Sequence, residues 1–280
     1  MQKRNPATAR RLGLWSTLGI VLLSAVLSLA APVTELPREQ AIKLVNQIRR
    51  ADYEGDRPAL QRLYAELAPF AENKDLASRV RYWRGFALWR RAINGFNDNV
   101  DPKEMEDDLK MAVEEFEESA RKDPRFVDAK IGALSCLGFV AYLNKKDTAR
   151  VQQYAAKMGP LMADIKAAEP ENPRFLWVLG PRVWNTPEER GGGQVKTIEM
   201  YQKGLEIIRS RKTAASDPLE PAWGEPELLM SLAWSELNRT TPDLKAAEEC
   251  ACSALELVPY WHYVKDILLP QIEEARRKQN

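Results

Sequence analysis

The sequence predicts an all-α protein, a right-handed α-solenoid of about five helix hairpins with a closing C-terminal helix. Three observations favour this fold. After Pro37, apolar residues recur at three- and four-residue spacing, which is the period of an amphipathic helix. No stretch sustains the alternation of apolar and polar residues that a half-buried strand needs. The helical segments also come in pairs at near-regular distances, as they do in proteins built from stacked repeats.

The first thirty residues differ from the rest and predict export. Four basic residues and no acidic one accompany an apolar run over residues 14–31, in which small residues stand at Ser28 and Ala30. This order is typical of a secretory signal peptide, residues 1–30, cleaved to leave residues 31–280. The alternative is an uncleaved anchor, because the run approaches the ~18 residues that can begin to span a bilayer. The predicted location is periplasmic or secreted, or anchored in the inner membrane through residues 14–31.

The helices are predicted in order from apolar spacing and from the residues at their ends. Pro favours the first turn of a helix, and Gly, Asp and Lys-Asp stretches mark the breaks between helices. The five pairs are 39–52 with 58–70, 76–94 with 103–121, 126–144 with 148–168, 173–184 with 194–211, and 226–237 with 242–257. A last helix is predicted over 261–278. The segment 213–224 is rich in Pro, Ser and Asp and predicts a long ordered loop.

Small and large residues recur at matching positions within these pairs. They are Gly85, Ala112, Phe116, Pro124, Gly138, Pro170, Gly180, Tyr201, Ala247, Ala254 and Pro259. In this the chain resembles tetratricopeptide repeats, in which a small residue lets two helices approach, a larger one fills the gap opposite, and Pro ends the second helix. We therefore expect a bulkier residue at Gly180 to overpack a helix crossing. The spacing between Gly85 and Ala112 exceeds the ~12 residues of the pattern, so the repeats are degenerate, with insertions.

A closer resemblance lies in residues 171–224. The tripeptide NPR at 172–174 opens one helix, GGG at 191–193 precedes the next, and the pair WG stands at 223–224. These elements resemble those of bacterial exported tetratricopeptide-repeat proteins. The resemblance implies the fold and export, and it supplies no catalytic residue.

Charge and composition exclude several classes of function. The chain has 41 Lys and Arg against 40 Asp and Glu, and without the four basic leader residues 37 face 40. Nucleic-acid binding needs clustered basic residues, so no nucleic-acid partner is predicted. One histidine and three cysteines without metal-ligand spacing predict no metal site, and no cofactor is expected.

The glycines at 191–193 allow two interpretations. A glycine run before a helix exposes backbone N–H groups that can hold an anion. The spacing is not that of a phosphate-binding loop, however, and no strand precedes it. The other interpretation is a tight turn between helices that needs positive φ.

Arginines and tryptophans on the first helices of the hairpins form the predicted ligand groove. Its residues are Arg81, Trp83, Arg84, Arg174, Trp177 and Arg182. Arginine binds a carboxylate through two parallel hydrogen bonds, and tryptophan buries much area at low entropic cost, so the set suits a protein or peptide partner. In the alternative, the large rings fill gaps between hairpins and the arginines cap or solvate helices.

The predicted function is an exported binding or scaffold protein that mediates protein–protein interaction in the cell envelope and catalyses nothing. This prediction rests on fold analogy, since solenoids present extended binding surfaces. The alternative is an accessory helical domain or small-solute carrier for an envelope enzyme or transporter. The two differ in their site, because a scaffold has an open groove and a solute carrier has an enclosed cavity with converging polar groups.

Overall fold

A computed structural model describes residues 36–211 and 217–279 of the chain. The predicted leader, residues 1–30, and the apolar run 14–31 lie outside these residues. Within the described ranges, no helix is both long and apolar enough to cross a membrane.

The described part of the chain is all-helical, with no strand, which confirms the predicted fold class. Two short 3₁₀ turns lie at Ala68–Phe70 and Glu188–Arg190, and a π-helical turn at Tyr263–Leu268 leads into the last helix. The α-helices are α1 (Pro37–Glu54), α2 (Arg57–Glu66), α3 (Ala77–Gly95), α4 (Pro102–Lys122), α5 (Val127–Leu143), α6 (Thr148–Ala168), α7 (Pro173–Trp184), α8 (Gln194–Ser210), α9 (Glu225–Asn238), α10 (Leu244–Leu257) and α11 (Leu269–Gln279).

Local capping explains where these helices begin and end. Gly55 ends α1 in a left-handed conformation with φ 73°. The carboxylates of Asp56 and Asp101 accept hydrogen bonds from the first turns of α2 and α4, which satisfies N–H groups that have no partner within the helix. Most predicted helix limits lie within about two residues of the observed ones. The last predicted helix, 261–278, is a π-helical turn followed by α11. The α2 helix ends at Glu66, where 70 was predicted, and a 3₁₀ turn follows. Pro69 explains the difference, because its ring blocks the carbonyl four residues before it.

The first helices of the pairs form one layer, here called the inner layer. Apart from α6 and α7, each helix packs on its neighbour in the sequence, and α1, α3, α5, α7 and α9 also contact one another in that order. Helices α3 and α5 are consequently buried on most sides. This arrangement of stacked pairs is solenoid-like, as the sequence predicts.

The loop before α9 packs into the stack and does not lie on the surface. Leu219 and Trp223 are 1 % and 4 % exposed and belong to the main core. The Leu219 carbonyl accepts a hydrogen bond from Trp83 Nε1 at 2.7 Å, and Trp223 Nε1 donates to the Tyr82 hydroxyl at 2.7 Å. We call residues 217–224 the inserted loop. It fills space that the inner layer would otherwise leave open.

The C-terminal segment packs back on α1. The Tyr53 and Trp261 rings meet edge to face with centroids 5.0 Å apart. The Tyr53 hydroxyl donates to Glu227 of α9 at 2.8 Å, and Gly55 lies against the ring of His262. The first and last helices of the described stack are therefore joined through a shared core.

The glycines of the repeat pattern occupy two kinds of position. A Cβ on Gly85 would lie 3.1 Å from the Phe116 ring, and one on Gly180 would overlap the Tyr201 ring. Both are close helix crossings, between α3 and α4 and between α7 and α8. Gly138 differs, because a Cβ there would meet no atom within 4 Å. It borders a groove described below and is not at a helix crossing.

The other repeat positions lie in the core or after helix ends. Ala112, Phe116, Ala247 and Ala254 are fully buried, and Tyr201 is 5 % exposed. Pro124, Pro170 and Pro259 each stand two residues after the end of a second helix, at α4, α6 and α10.

Candidate ligand cavity

A cavity of about 390 Å³ lies against the inner layer. That volume is within the ~300–1,000 Å³ usual for small-molecule sites. Its walls come from α3, α5, α7, α8 and α9 and from the C-terminal segment, so it exists only where the stack is complete. The large apolar and aromatic residues of the wall are Phe96, Phe139, Trp177, Trp184, Tyr201, Met230, Trp234, Trp261 and Tyr263.

Contacts behind the rings hold the aromatic wall in place. Trp177 Nε1 donates to the Ser231 hydroxyl at 2.8 Å. Trp184 and Trp234 meet edge to face with centroids 5.3 Å apart, and Trp234 remains 37 % exposed. Edge-to-face pairs of this kind stabilise their geometry beyond simple burial. The wall is therefore largely preformed, with the Trp184–Trp234 pair as its most exposed part.

A buried charged cluster adjoins the cavity where Arg90 and Asn94 line it, and we call this part of the wall the polar end. Arg90, 5 % exposed, lines the cavity and donates through Nε to Asp52 at 2.7 Å. Asn94 donates to the Asp52 carbonyl at 3.1 Å. Glu227, 1 % exposed, accepts hydrogen bonds from the Tyr53 hydroxyl and from the Gly224 N–H at 2.8 and 2.7 Å. Burial raises the pKa of Glu227, and the charge of Arg90 opposes that shift only in part.

Hydroxyl groups add further polar character to the same walls. Ser135 and Ser235 line the cavity and are 6 % and 1 % exposed. Ser235 Oγ has no hydrogen-bond partner among the described residues. A buried hydroxyl without a partner is uncommon and is destabilising unless another group bonds to it.

A larger groove of about 1,100 Å³ adjoins the cavity, between α5, α6 and α7. Five residues line both: Ser135, Phe139, Val178, Pro181 and Asn185. Met158 and Met162 of α6 form its apolar side, while Lys166 and Arg182 bring positive charge. Neither cation has an ion pair with another described residue, and the Arg182 side chain donates one hydrogen bond within the described residues, to the Met162 sulfur at 3.7 Å.

The residues of the predicted groove do not share one surface. Trp83 is fully buried under the inserted loop, so its ring is not presented to solvent as we expected. Trp177 lines the cavity and Arg182 lines the larger groove. A ligand-binding role for these last two stays a prediction.

The other three arginines of that set are paired within the chain. Arg84 donates to Glu115 at 2.8 Å, and Arg81 bonds to Glu115 at 3.1 Å and also to Glu72. Arg174 holds Asp128 through two hydrogen bonds, at 2.6 and 2.8 Å. The guanidinium groups of these three arginines already bond to carboxylates of the chain.

The glycine run forms a turn whose N–H groups are used internally. Gly191 and Gly193 have φ of 80° and 100°, which other residues rarely adopt. The N–H groups of Gly191, Gly192 and Gly193 donate to the carbonyls of Glu188, Pro187 and Val183 at 2.8, 3.2 and 2.9 Å. They are therefore not available to hold an anion in this conformation.

Sequence reasoning missed the Arg90 cluster. One signal was present, because Arg90 stands four residues after Phe86 and eight after Tyr82, on the face of α3 that is otherwise apolar. An arginine at such a position marks either a buried ion pair or a ligand contact. Its partners Asp52 and Glu227 come from α1 and α9, and no local pattern brings them together.

Comparison with solved structures shows a likeness of fold. The fold is similar to that of the HusA haemophore from Porphyromonas gingivalis, with a TM-score of 0.54 and 17 % sequence identity over 73 % of this chain and 97 % of that one. A likeness at this identity concerns the fold. No family model and no curated protein matches the chain, so the tetratricopeptide resemblance stays a prediction.

Proposed function

We propose that this chain is a non-catalytic binding protein of the cell envelope that carries a small, flat, apolar molecule in the cavity. The observation that supports the proposal best is the wall itself. Four indole rings, from Trp177, Trp184, Trp234 and Trp261, surround a space of ordinary ligand size. Flat aromatic walls bury much apolar area of a flat ligand, and the polar groups among the lining residues would orient it.

The similar haemophore suggests a first class of ligand to test, the tetrapyrroles. The adjoining groove agrees with that choice, because Lys166 and Arg182 could neutralise the acidic substituents of such a ring while its apolar part enters the cavity. Export, which the leader predicts, would place such a carrier outside the inner membrane.

The test is titration of the purified chain with haemin and with metal-free protoporphyrin IX. Binding should quench the tryptophan fluorescence and shift the main absorption band of the tetrapyrrole. The double variant Trp184→Ala with Trp234→Ala removes the exposed part of the wall and should weaken binding at least tenfold. Val195→Ala with Leu257→Ala is the matched control, because these two apolar side chains are 58 % and 44 % exposed and do not line the cavity. Equal affinity in both double variants would refute the cavity as the site.

A second candidate is the protein–protein scaffold that the sequence predicts. The larger groove favours it, since an apolar floor beside two unpaired cations suits an acidic peptide. Lys166→Ala with Arg182→Ala should then abolish capture of the peptide while leaving tetrapyrrole binding measurable. If a partner protein is retained in full by that variant, the groove is not its docking site.

A further inference from the structure

The Arg90 side chain has unused hydrogen-bonding capacity. Its Nε bonds to Asp52, whereas Nη1 and Nη2 make no hydrogen bond to any described residue. The guanidinium carbon lies 5.7 Å from the Trp89 ring and 6.0 Å from the Phe86 ring, so part of its surroundings is apolar. Arginine presents five N–H donors in a planar fork. At a nearly buried position that lines a cavity, donors without partners indicate where a ligand atom could bond.

The charges around Arg90 determine which kind of atom that could be. One guanidinium bonds to the buried carboxylate of Asp52 and also interacts electrostatically with the buried carboxyl group of Glu227. If both are ionised, the cluster carries −1, and if Glu227 keeps its proton, the cluster is neutral. In neither state is a positive charge left over for a third anion. A ligand carboxylate placed here would be buried without compensation, which is strongly unfavourable.

We propose that the polar end of the cavity binds an uncharged hydrogen-bond acceptor, a carbonyl oxygen of a flat apolar ligand, through Arg90. This inference rests on the proposed function and names the ligand class of the same site. Acidic groups of a larger ligand are directed away from Arg90, toward Lys166 and Arg182 in the adjoining groove.

Three naphthalenes of nearly equal size test the inference by calorimetric titration of the full chain. They are 2-acetylnaphthalene with a neutral carbonyl, 2-ethylnaphthalene with no acceptor, and 2-naphthoate with a carboxylate. The ketone should bind about tenfold more tightly than the hydrocarbon, because a hydrogen bond to a charged donor is among the stronger ones. The naphthoate should bind most weakly. Equal affinity of ketone and hydrocarbon, or tighter binding of the naphthoate, overturns the inference while leaving a carrier function intact.

Variants then assign the preference to Arg90. Removing Arg90 alone would leave Asp52 buried and uncompensated, so the pair is changed together, as Arg90→Gln with Asp52→Asn. The ratio of ketone to hydrocarbon affinity should fall to nearly one. Arg174→Gln with Asp128→Asn is the control, a partly buried pair that does not line the cavity, and it should keep the wild-type ratio. If the cavity pair keeps the ratio too, Arg90 is not the donor. Absence of binding by all three compounds overturns this inference, and the proposed function fails with it only if the tetrapyrroles do not bind either.

Discussion

Substitution by alanine should change the stability of the protein in opposite directions at two glycines on neighbouring inner-layer helices. A Cβ on Gly180 would overlap the hydroxyl and ring carbons of Tyr201, whereas one on Gly138 would meet no atom within 4 Å. Alanine favours a helix interior over glycine by ~1 kcal/mol, and this gain applies to both positions. Only at Gly180 is it opposed by overpacking.

The magnitudes follow from these two effects. Overpacking a core costs ~1–3 kcal/mol, and the overlap at Gly180 involves a Tyr201 ring that is itself buried, which indicates the upper end. Pro181 adds to that cost, because the residue before a proline resists helical geometry when it carries a Cβ. Gly180→Ala should therefore lower the free energy of unfolding by about 2 kcal/mol net, and Gly138→Ala should raise it by about 1 kcal/mol. For a domain of this size, 1 kcal/mol shifts Tm by ~2–4 °C.

Thermal unfolding followed by far-UV circular dichroism measures both variants directly. The two Tm values should lie on opposite sides of the wild-type value, about 6–12 °C apart. A compensating change gives an internal check, since Tyr201→Leu makes room and should reduce the loss caused by Gly180→Ala. If Gly180→Ala melts at or above the wild-type temperature, the close crossing of α7 and α8 is not as described.

Three further changes test the buried interactions of the fold. Arg174→Ala should lower the free energy of unfolding, measured in urea, by about 3–5 kcal/mol because it leaves Asp128 buried without its partner. A loss below about 1 kcal/mol would show that the pair is solvated. Trp223→Ala should lower the free energy of unfolding by a similar ~3–5 kcal/mol. Trp223→Phe loses mainly the hydrogen bond to Tyr82 and should lower it by about 1 kcal/mol. Equal losses in the two variants would contradict the packing of the inserted loop. Burial raises the pKa of Glu227 above its ordinary 4.5, so the native state holds a proton that the unfolded chain has lost, and wild-type stability falls as pH rises above that value. Glu227→Gln should therefore gain stability relative to wild type as pH rises above 4.5. A difference in stability that does not change with pH would contradict the raised pKa.

The helices could be predicted from the sequence because their limits depend on neighbouring residues. The helix predicted over 173–184 is α7 itself, and the one predicted over 194–211 ends one residue later than α8. Pro, Asp and Gly determine helix limits within one turn of their own positions, so the local sequence contains the information needed to predict those limits.

The cavity could not be predicted, because its parts are distant in the sequence. Trp83 and Trp177 stand on first helices in similar apolar surroundings, and sequence reasoning treated them alike. The difference between them comes from residue 219, more than a hundred positions after Trp83, whose carbonyl accepts the Trp83 N–H. The contact between Tyr53 and Trp261 likewise depends on the summed stacking angles of every intervening helix, which no local pattern specifies.

The contact between the first and last helices has a consequence for how the protein can change. In an open repeat array, stability is nearly a sum over neighbours, so units can be added, lost or melted from one end. Here the terminal helices share a core with Tyr53 and Trp261, and removing one hairpin would separate them and open the cavity wall. A hairpin therefore cannot be gained or lost without breaking this contact. Unfolding that begins at either end should spread through the whole stack. A molecule bound in the cavity would stabilise both ends of the stack at once. Binding would therefore be seen as an increase in the free energy of unfolding of the whole stack.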